Sequence, residues 1–421
     1  MQQVLLLLCS LFLGLVCYYS VMRMQPDLRK PYAVLLLYRF LFFVLQSVFF
    51  YSLYNNQLDP FFYHDTLVKL FDCFAKNPFD LILFLKGEYQ TMHIAAELKT
   101  YFAAEVRATF FIKVLIPFFA FAANNYYLLG AWLTLFGSMC LVSFLSLFKR
   151  SSSLVIWLLI LVIPSFTFWT VGVLKEAFVL PVLFLLIYFL NKIIDSKGKD
   201  LFSITLFIVC CCLCWYVKYY LVAIFLLGTL MYFINSKISY SFNAVLFSIL
   251  VMAMVIVGLG FLHPALQWNV FPEVIYISNH LTCTKYVDAY ACIPFDLDRT
   301  WTSIILNYPK ALLYAFFSPF PWQIHNLSSL CAALESYVFI ALLFYLIYRW
   351  VTKKIIVSNA ELFGLLIILL AGGLLIMASP NIGSFSRYRI FYLPIYAYIV
   401  LKHSGVIYNA AFLRFKNWIE K

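Results

Sequence analysis

Charge is scarce in this chain. Asp, Glu, Lys and Arg together make up 11% of its 421 residues, and only 18 residues are acidic. An ordinary soluble domain devotes about a quarter of its residues to charge, so this composition cannot build a water-exposed surface of that size. Glycine is sparse as well, at 14 residues, and no Gly/Ser linker, low-complexity tract or internal repeat divides the chain. A glycine-rich phosphate loop, HExxH, GxSxG and any zinc-ligand spacing are all missing, which points away from nucleotide-driven and zinc-dependent chemistry.

What is present is apolar. Hydrophobic residues make up 65% of the chain, and the mean hydropathy is +0.93. A membrane span needs about 20 such residues, and candidate windows recur at 3–22, 33–55, 108–123, 125–147, 154–171, 177–190, 201–216, 219–235, 241–262, 334–351, 361–378 and 391–402. The expected fold is all-α: a polytopic transmembrane helical bundle of about 12 spans, within a range of about 11–14. It forms a single integral membrane domain over 1–421, with outer-face loops at about 56–107 and 263–333 that carry interfacial helices at 61–74 and 94–106. The first apolar run has no basic flank and no small-residue cleavage site, so it reads as a retained helix. Cys210, Cys211, Cys212 and Cys214 sit inside an apolar run and read as packing residues, whereas Cys283 and Cys292 lie in a polar stretch where an extracytoplasmic disulfide is expected.

The net charge of +12 is first an orientation signal and not a mark of nucleic-acid binding. Basic clusters at Arg23/Arg29/Lys30, Lys149/Arg150, Lys192/Lys197/Lys199, Lys237, Arg349/Lys353/Lys354 and the tail, with Arg39 added, hold 17 of the 30 Lys and Arg and should be cytoplasmic. The remaining loops balance to zero and should face outward. This assignment leaves a parity conflict. If 108–123 and 125–147 both cross, another crossing must hide between 56 and 107, with 79–85 as its best candidate. The alternative is one long helix over 108–147, against which Asn124-Asn125 argues.

The centre of the chain is the turn from Pro164 to Glu176, where Pro164, Gly172 and the adjacent pair Lys175-Glu176 separate two apolar runs. Ionisable groups at a bilayer lip mark functional sites or cap helix ends in the headgroup layer. Asp59 and Asp65, with His64 beside the latter, open the first outer segment. They suit a general base toward an acceptor hydroxyl or, with a divalent ion such as Mg or Mn, a phosphate clamp. Lys175, Lys218, Arg387 and Arg389, with Tyr388 between the arginines, form the cationic complement for a phosphate or pyrophosphate headgroup. The segment from Phe317 to Gln323, with two prolines, either shapes a cleft or ends a helix.

The acidic outer loop, the Pro-Ser-Phe-x-Phe-Trp-x-x-Gly-x-x-Lys-Glu turn and the late Gly383-Ser384-Phe385-Ser386-Arg387-Tyr388-Arg389 followed by Pro394 resemble the polytopic GT-C-type glycosyltransferases that use polyprenyl-phosphate sugars. They resemble the Wzy-type polysaccharide polymerases almost equally. The resemblance implies a helical bundle in a bacterial inner membrane with a cleft on the periplasmic side. It implies transfer from a lipid-linked sugar donor to a glycan or lipid acceptor, among membrane lipids and without nucleic acid. It places the catalytic acidic positions on Asp59 or Asp65 and on Glu176, and donor-phosphate binding on Lys175, Lys218, Arg387 or Arg389. Lys beside Glu stands where that pattern commonly has Asp. A lipid-linked sugar flippase is the competing reading from outside enzymology.

Overall fold

Long runs without charge or helix-breaking residues fold as helices, because in lipid each backbone N–H and C=O must find its partner within the segment. The computed structural model describes residues 2–54, 59–148, 152–237, 254, 258, 260–285, 292–353 and 359–403. Among these the secondary structure is helical, with one isolated β-bridge between Cys292 and Asn381. Among the described residues, six helices are long and apolar enough to cross a membrane: Gln3–Arg23, Pro26–Ser52, Tyr126–Phe148, Lys175–Asp195, Leu201–Thr229 and Ser329–Thr352. The chain is an all-α membrane protein.

The other expected windows resolve differently. Windows 201–216 and 219–235 belong to one helix broken at Lys218, and 154–171 is split into two short helices. Window 108–123 forms a helix of 15 residues, 361–378 a helix of 20, and 391–402 one of 11. Most of 241–262 lies outside the described residues.

The described chain divides into two compact units, one holding the residues up to 154 with 161–219, the other 155–160 with those from 220 onward. The first unit contains α1 (Gln2–Arg23), α2 (Pro26–Tyr54), α3 (Asp59–Lys76), α4 (Phe79–Lys86), α5 (Ala96–Ala104), α6 (Val106–Ala120) and α7 (Tyr126–Leu145). The chain passes between units within α8 (Ser152–Leu161), and α9 (Pro164–Trp169), α10 (Lys175–Asp195) and the first half of α11 (Leu201–Lys237) return to the first.

α7 is the axis of this unit, with 72% of its apolar window buried against 6% for α1. α2 runs antiparallel to it: Tyr32 and Leu36 pack with Leu135 and Val142, Arg39 reaches Ser138, and Phe43 lies over Gly130. α10 runs parallel to α7, since the Phe136 and Phe178 rings stack at 5.7 Å and Phe144 meets Phe184 at 4.8 Å. The start of α2 and the ends of α7 and α10 therefore share one end of the unit, which carries Arg29, Lys30, Lys192, Lys197 and Lys199. Outward-facing side chains such as Leu37, Leu41 and Val48 are exposed and apolar, a surface matched by lipid.

The parity conflict disappears in this arrangement. Phe61 at the start of α3 stacks on Tyr126 at the start of α7, with centroids 4.7 Å apart. The chain thus leaves α2 and enters α7 at the same end of the unit, and the segment between makes no net crossing. α4 has eight residues, about 12 Å of helix, too short for a span. The single long helix over 108–147 is also overturned. Ala123 and Asn124 adopt left-handed φ of 49° and 58°, and the Asn125 side chain caps α7 by accepting from Leu128 N at 3.1 Å. Arg39, grouped above with cytoplasmic charge, is instead fully buried in mid-α2.

The second unit contains α12 (Phe271–Lys285), α13 (Trp301–Phe317), α14 (Leu327–Lys353), α15 (Asn359–Ala378), α16 (Ile382–Arg389) and α17 (Leu393–His403). Cys283 and Cys292 are joined in a disulfide, as expected. Ile293 N then donates to Pro380 O at 2.9 Å, which ties that loop to the residues before α16. α13 packs on α15 where Gly373 admits the Tyr308 ring, which a Cβ would meet at 2.8 Å. The segment 318–323 ends α13, with the Gln323 side chain accepting from Phe320 N at 2.8 Å.

Candidate functional site

The turn between α9 and α10 is built from small hydroxyls and one glycine. Pro164 starts α9, where its missing N–H costs nothing, and Thr167 Oγ1 donates back to Leu161 O at 2.9 Å. Thr170 Oγ1 donates to Phe166 O at 2.8 Å. Gly172 has φ +69°, and a Cβ there would lie 2.5 Å from Gln46 Oε1 and 2.9 Å from the Phe43 ring. Only glycine satisfies both the left-handed backbone and the close approach. Its N–H donates to Thr134 Oγ1 at 3.1 Å.

These contacts set the depth of the turn. Thr134 is the ninth residue of α7, so the apex lies about 12 Å along α7 from its start. The turn expected at the bilayer lip is thus inserted partway down the unit, held by mid-helix side chains of α2 and α7. Arg39 clamps it, donating through Nε to Ser138 Oγ at 2.9 Å, through Nη1 to Thr170 Oγ1 at 2.9 Å and through Nη2 to Thr170 O at 2.5 Å. Gln46 Nε2 donates to Phe168 O.

Glu176 is fully buried and its Oε1 accepts from Lys218 Nζ, itself 5% exposed. At Lys218 the backbone of α11 leaves helical geometry, with φ −150° and ψ 74°. The two residues, expected as a catalytic acid and a phosphate ligand, are buried and paired with each other. A buried pair of this kind is strongly unfavourable to break by removing one member.

Lys175 is half-buried and its Nζ lies 5.6 Å from the centroid of the Tyr63 ring, a cation–π contact with α3. The helix bearing Asp59 and Asp65 is thereby brought to the start of α10. Asp65 is 68% exposed and sits 3.2 Å from His64 Nδ1. Asp59 is exposed near Tyr101, whose hydroxyl is pushed up to about 12 by burial, with Glu105 and Asp59 adding to the shift. Arg107 lies 5.8 Å over the Tyr219 ring, one residue from Lys218. Sequence reading missed Arg107, Glu105 and Arg39. The first two sit at the start of α6, and no spacing in sequence links them to residues 59 or 218.

Another cluster was not foreseen. Asp80, fully buried in α4, accepts from Cys73 Sγ at 3.0 Å and from His93 N at 3.3 Å, with His93 Nδ1 3.2 Å away. Burial alone would raise its pKa, but these hydrogen bonds outweigh it and hold the carboxyl below the usual range. The Cys73 thiol is pushed up to about 11 by burial and by Asp80.

In the second unit Arg389 is buried and committed to packing. It donates to Ser318 O at 3.1 Å and Ser336 Oγ at 2.6 Å, with Glu335 Oε1 at 3.5 Å. Arg389, expected as a phosphate ligand, thus points into packed protein, while Arg387 and Tyr388 are half-buried on α16. Of the four cysteines expected to pack, Cys214 is buried, Cys210 and Cys211 are half-buried and Cys212 is exposed. Among the described residues no three His, Cys, Asp or Glu side chains come together as a metal-ligand set. No step is derived through a metal ion. No family model, curated protein or solved structure matches the chain.

Proposed function

We propose that the chain is an integral-membrane glycosyltransferase. It takes a sugar from a polyprenyl-phosphate-linked donor at the outer face of a bacterial inner membrane and passes it to a glycan or lipid acceptor in envelope or surface-polysaccharide assembly. The observation that carries this reading is the contact of Lys175 with Tyr63, which sets a cation beside the acidic helix α3. In this reading Lys175, with Arg107 nearby on α6, attracts the donor phosphate. Asp59 or Asp65 takes the proton of the acceptor hydroxyl as the glycosyl group transfers. Glu176 and Lys218 hold the start of α10 in place as a buried pair. Where the acceptor is itself a lipid-linked oligosaccharide, the same chemistry makes a repeat-unit polymerase, told apart by a ladder of products.

A second reading is favoured by a specific observation. Buried charge partway along a bundle, next to a helix that starts there and one that breaks there, is also the construction of transport sites. A flippase would move intact lipid-linked sugar. Transfer of label from a lipid-linked glycan pool, in membranes bearing wild type, Asp59→Asn, Asp65→Asn or Lys175→Ala at matched abundance, separates the two. A changed glycan pool that is lost about 10²–10⁴-fold in one aspartate variant supports the transferase. Translocation of unaltered donor overturns it.

A further inference from the structure

We propose that α4 is a membrane-seating helix, lying flat in the headgroup–acyl boundary of a bilayer containing anionic phospholipid. Phe79, Ile82 and Leu85 are 57%, 46% and 52% exposed and recur every three residues, so they share one face. Asp80, Leu83 and Phe84 on the opposite face are buried. An apolar stripe on so short a helix has no reason to face water, and lipid at shallow depth is the occupant that its length allows.

Two cations flank the helix directly, with the exposed Asp72 and Glu88 farther out along the chain. Lys76 and Lys86 bracket the helix and are exposed, placed to meet lipid phosphates. Lys113 secures the C-terminal end, donating to Leu85 O at 3.1 Å with its ammonium over the Phe84 and Tyr89 rings. The one acidic group on α4, Asp80, is turned inward onto Cys73 and His93. Gly87, with φ +91°, stops the helix, and its N–H caps Leu83 O at 3.0 Å. Because α3 and α7 begin side by side, the segment that carries α4 makes no net crossing. The seating is independent of what reaction the protein performs.

The test uses the full chain in nanodiscs of mixed phosphatidylglycerol and phosphatidylcholine, with a photoreactive benzoylphenylalanine at 79, 82, 85 or, as inward control, 83. Lipid adducts several-fold higher at 79, 82 and 85 than at 83 are expected, with phosphatidylglycerol enriched among them. Lys76→Glu with Lys86→Glu should abolish that enrichment while leaving phosphatidylcholine adducts in place. Cysteines placed at Lys76 and Glu88 should be alkylated by an impermeant maleimide from one side only. Adducts to protein alone at 79, 82 and 85 overturn the seating in favour of a protein partner. Labelling of the two cysteines from opposite sides overturns it in favour of a crossing.

Discussion

Arg39 and Thr170 are joined twice, the guanidinium donating to the threonine hydroxyl at 2.9 Å and to its carbonyl at 2.5 Å. A fully buried cation in mid-helix thus holds the apex of the α9–α10 turn through neutral acceptors. Replacing it by Ala leaves the Thr170 carbonyl and Ser138 hydroxyl without this donor and opens a cavity. The expected loss is about 3–5 kcal/mol. Arg39→Lys should lose less, about 1–3 kcal/mol, because an ammonium keeps a donor and most of the volume while giving up the fork. Thermal unfolding of purified protein in detergent gives the ranking, and an Arg39→Lys variant as unstable as Arg39→Ala would contradict the clamp.

The Glu176–Lys218 pair predicts strong coupling. Glu176→Gln and Lys218→Met each remove one member of a buried ion pair and should cost about 3–5 kcal/mol. The double variant should cost clearly less than the two losses together. Simple additivity in a double-mutant cycle would show that the two side chains do not act as a pair.

Gly172→Ala should destabilise by about 1–3 kcal/mol from the left-handed backbone alone, with more added by the clash at Gln46 and Phe43. Gly198, also at positive φ but with open space around it, isolates the backbone contribution. Gly198→Ala should therefore be the milder substitution, and the difference in melting temperature between the two measures the close approach.

Asp80 predicts an acid limb. Its folded pKa lies below the unfolded value, held down by Cys73 and His93 against the opposing effect of burial. The carboxylate therefore contributes stability that is fully present above the unfolded value of about 3.9. That contribution is lost as pH falls through the lower, folded value. Unfolding midpoints measured from neutral pH down to about 3 should decline for wild type. Asp80→Asn should start lower and decline less over the same interval; an identical slope would remove Asp80 from the acid transition.

Hydropathy carried the reading of an all-α membrane protein, because chain-long apolar runs have few other fates. The Cys283–Cys292 pairing was legible for a local reason, two cysteines nine residues apart in a polar stretch. The conspicuous turn with Pro164, Gly172 and Lys175-Glu176 was legible too, but its depth was not. Depth depends on Thr134 and Arg39, 38 and 131 residues away from their partners. The basic-loop count went astray at Arg39 because charge alone does not show whether a guanidinium meets water or a ring of buried acceptors.

The amino-acid sequence by itself determined the solvent of this protein and the chemistry of its turns. The abundance of apolar side chains demands lipid, and glycine at 172 permits a bend that other residues resist. Tertiary structure decided which charges are available and which are spent. Glu176 and Lys218, 42 residues apart, neutralise each other in the interior, while Lys175, adjacent to Glu176, turns to Tyr63 on α3. Neighbours in sequence part company there because successive side chains on a helix point about 100° apart. The fold alone sets what each direction meets.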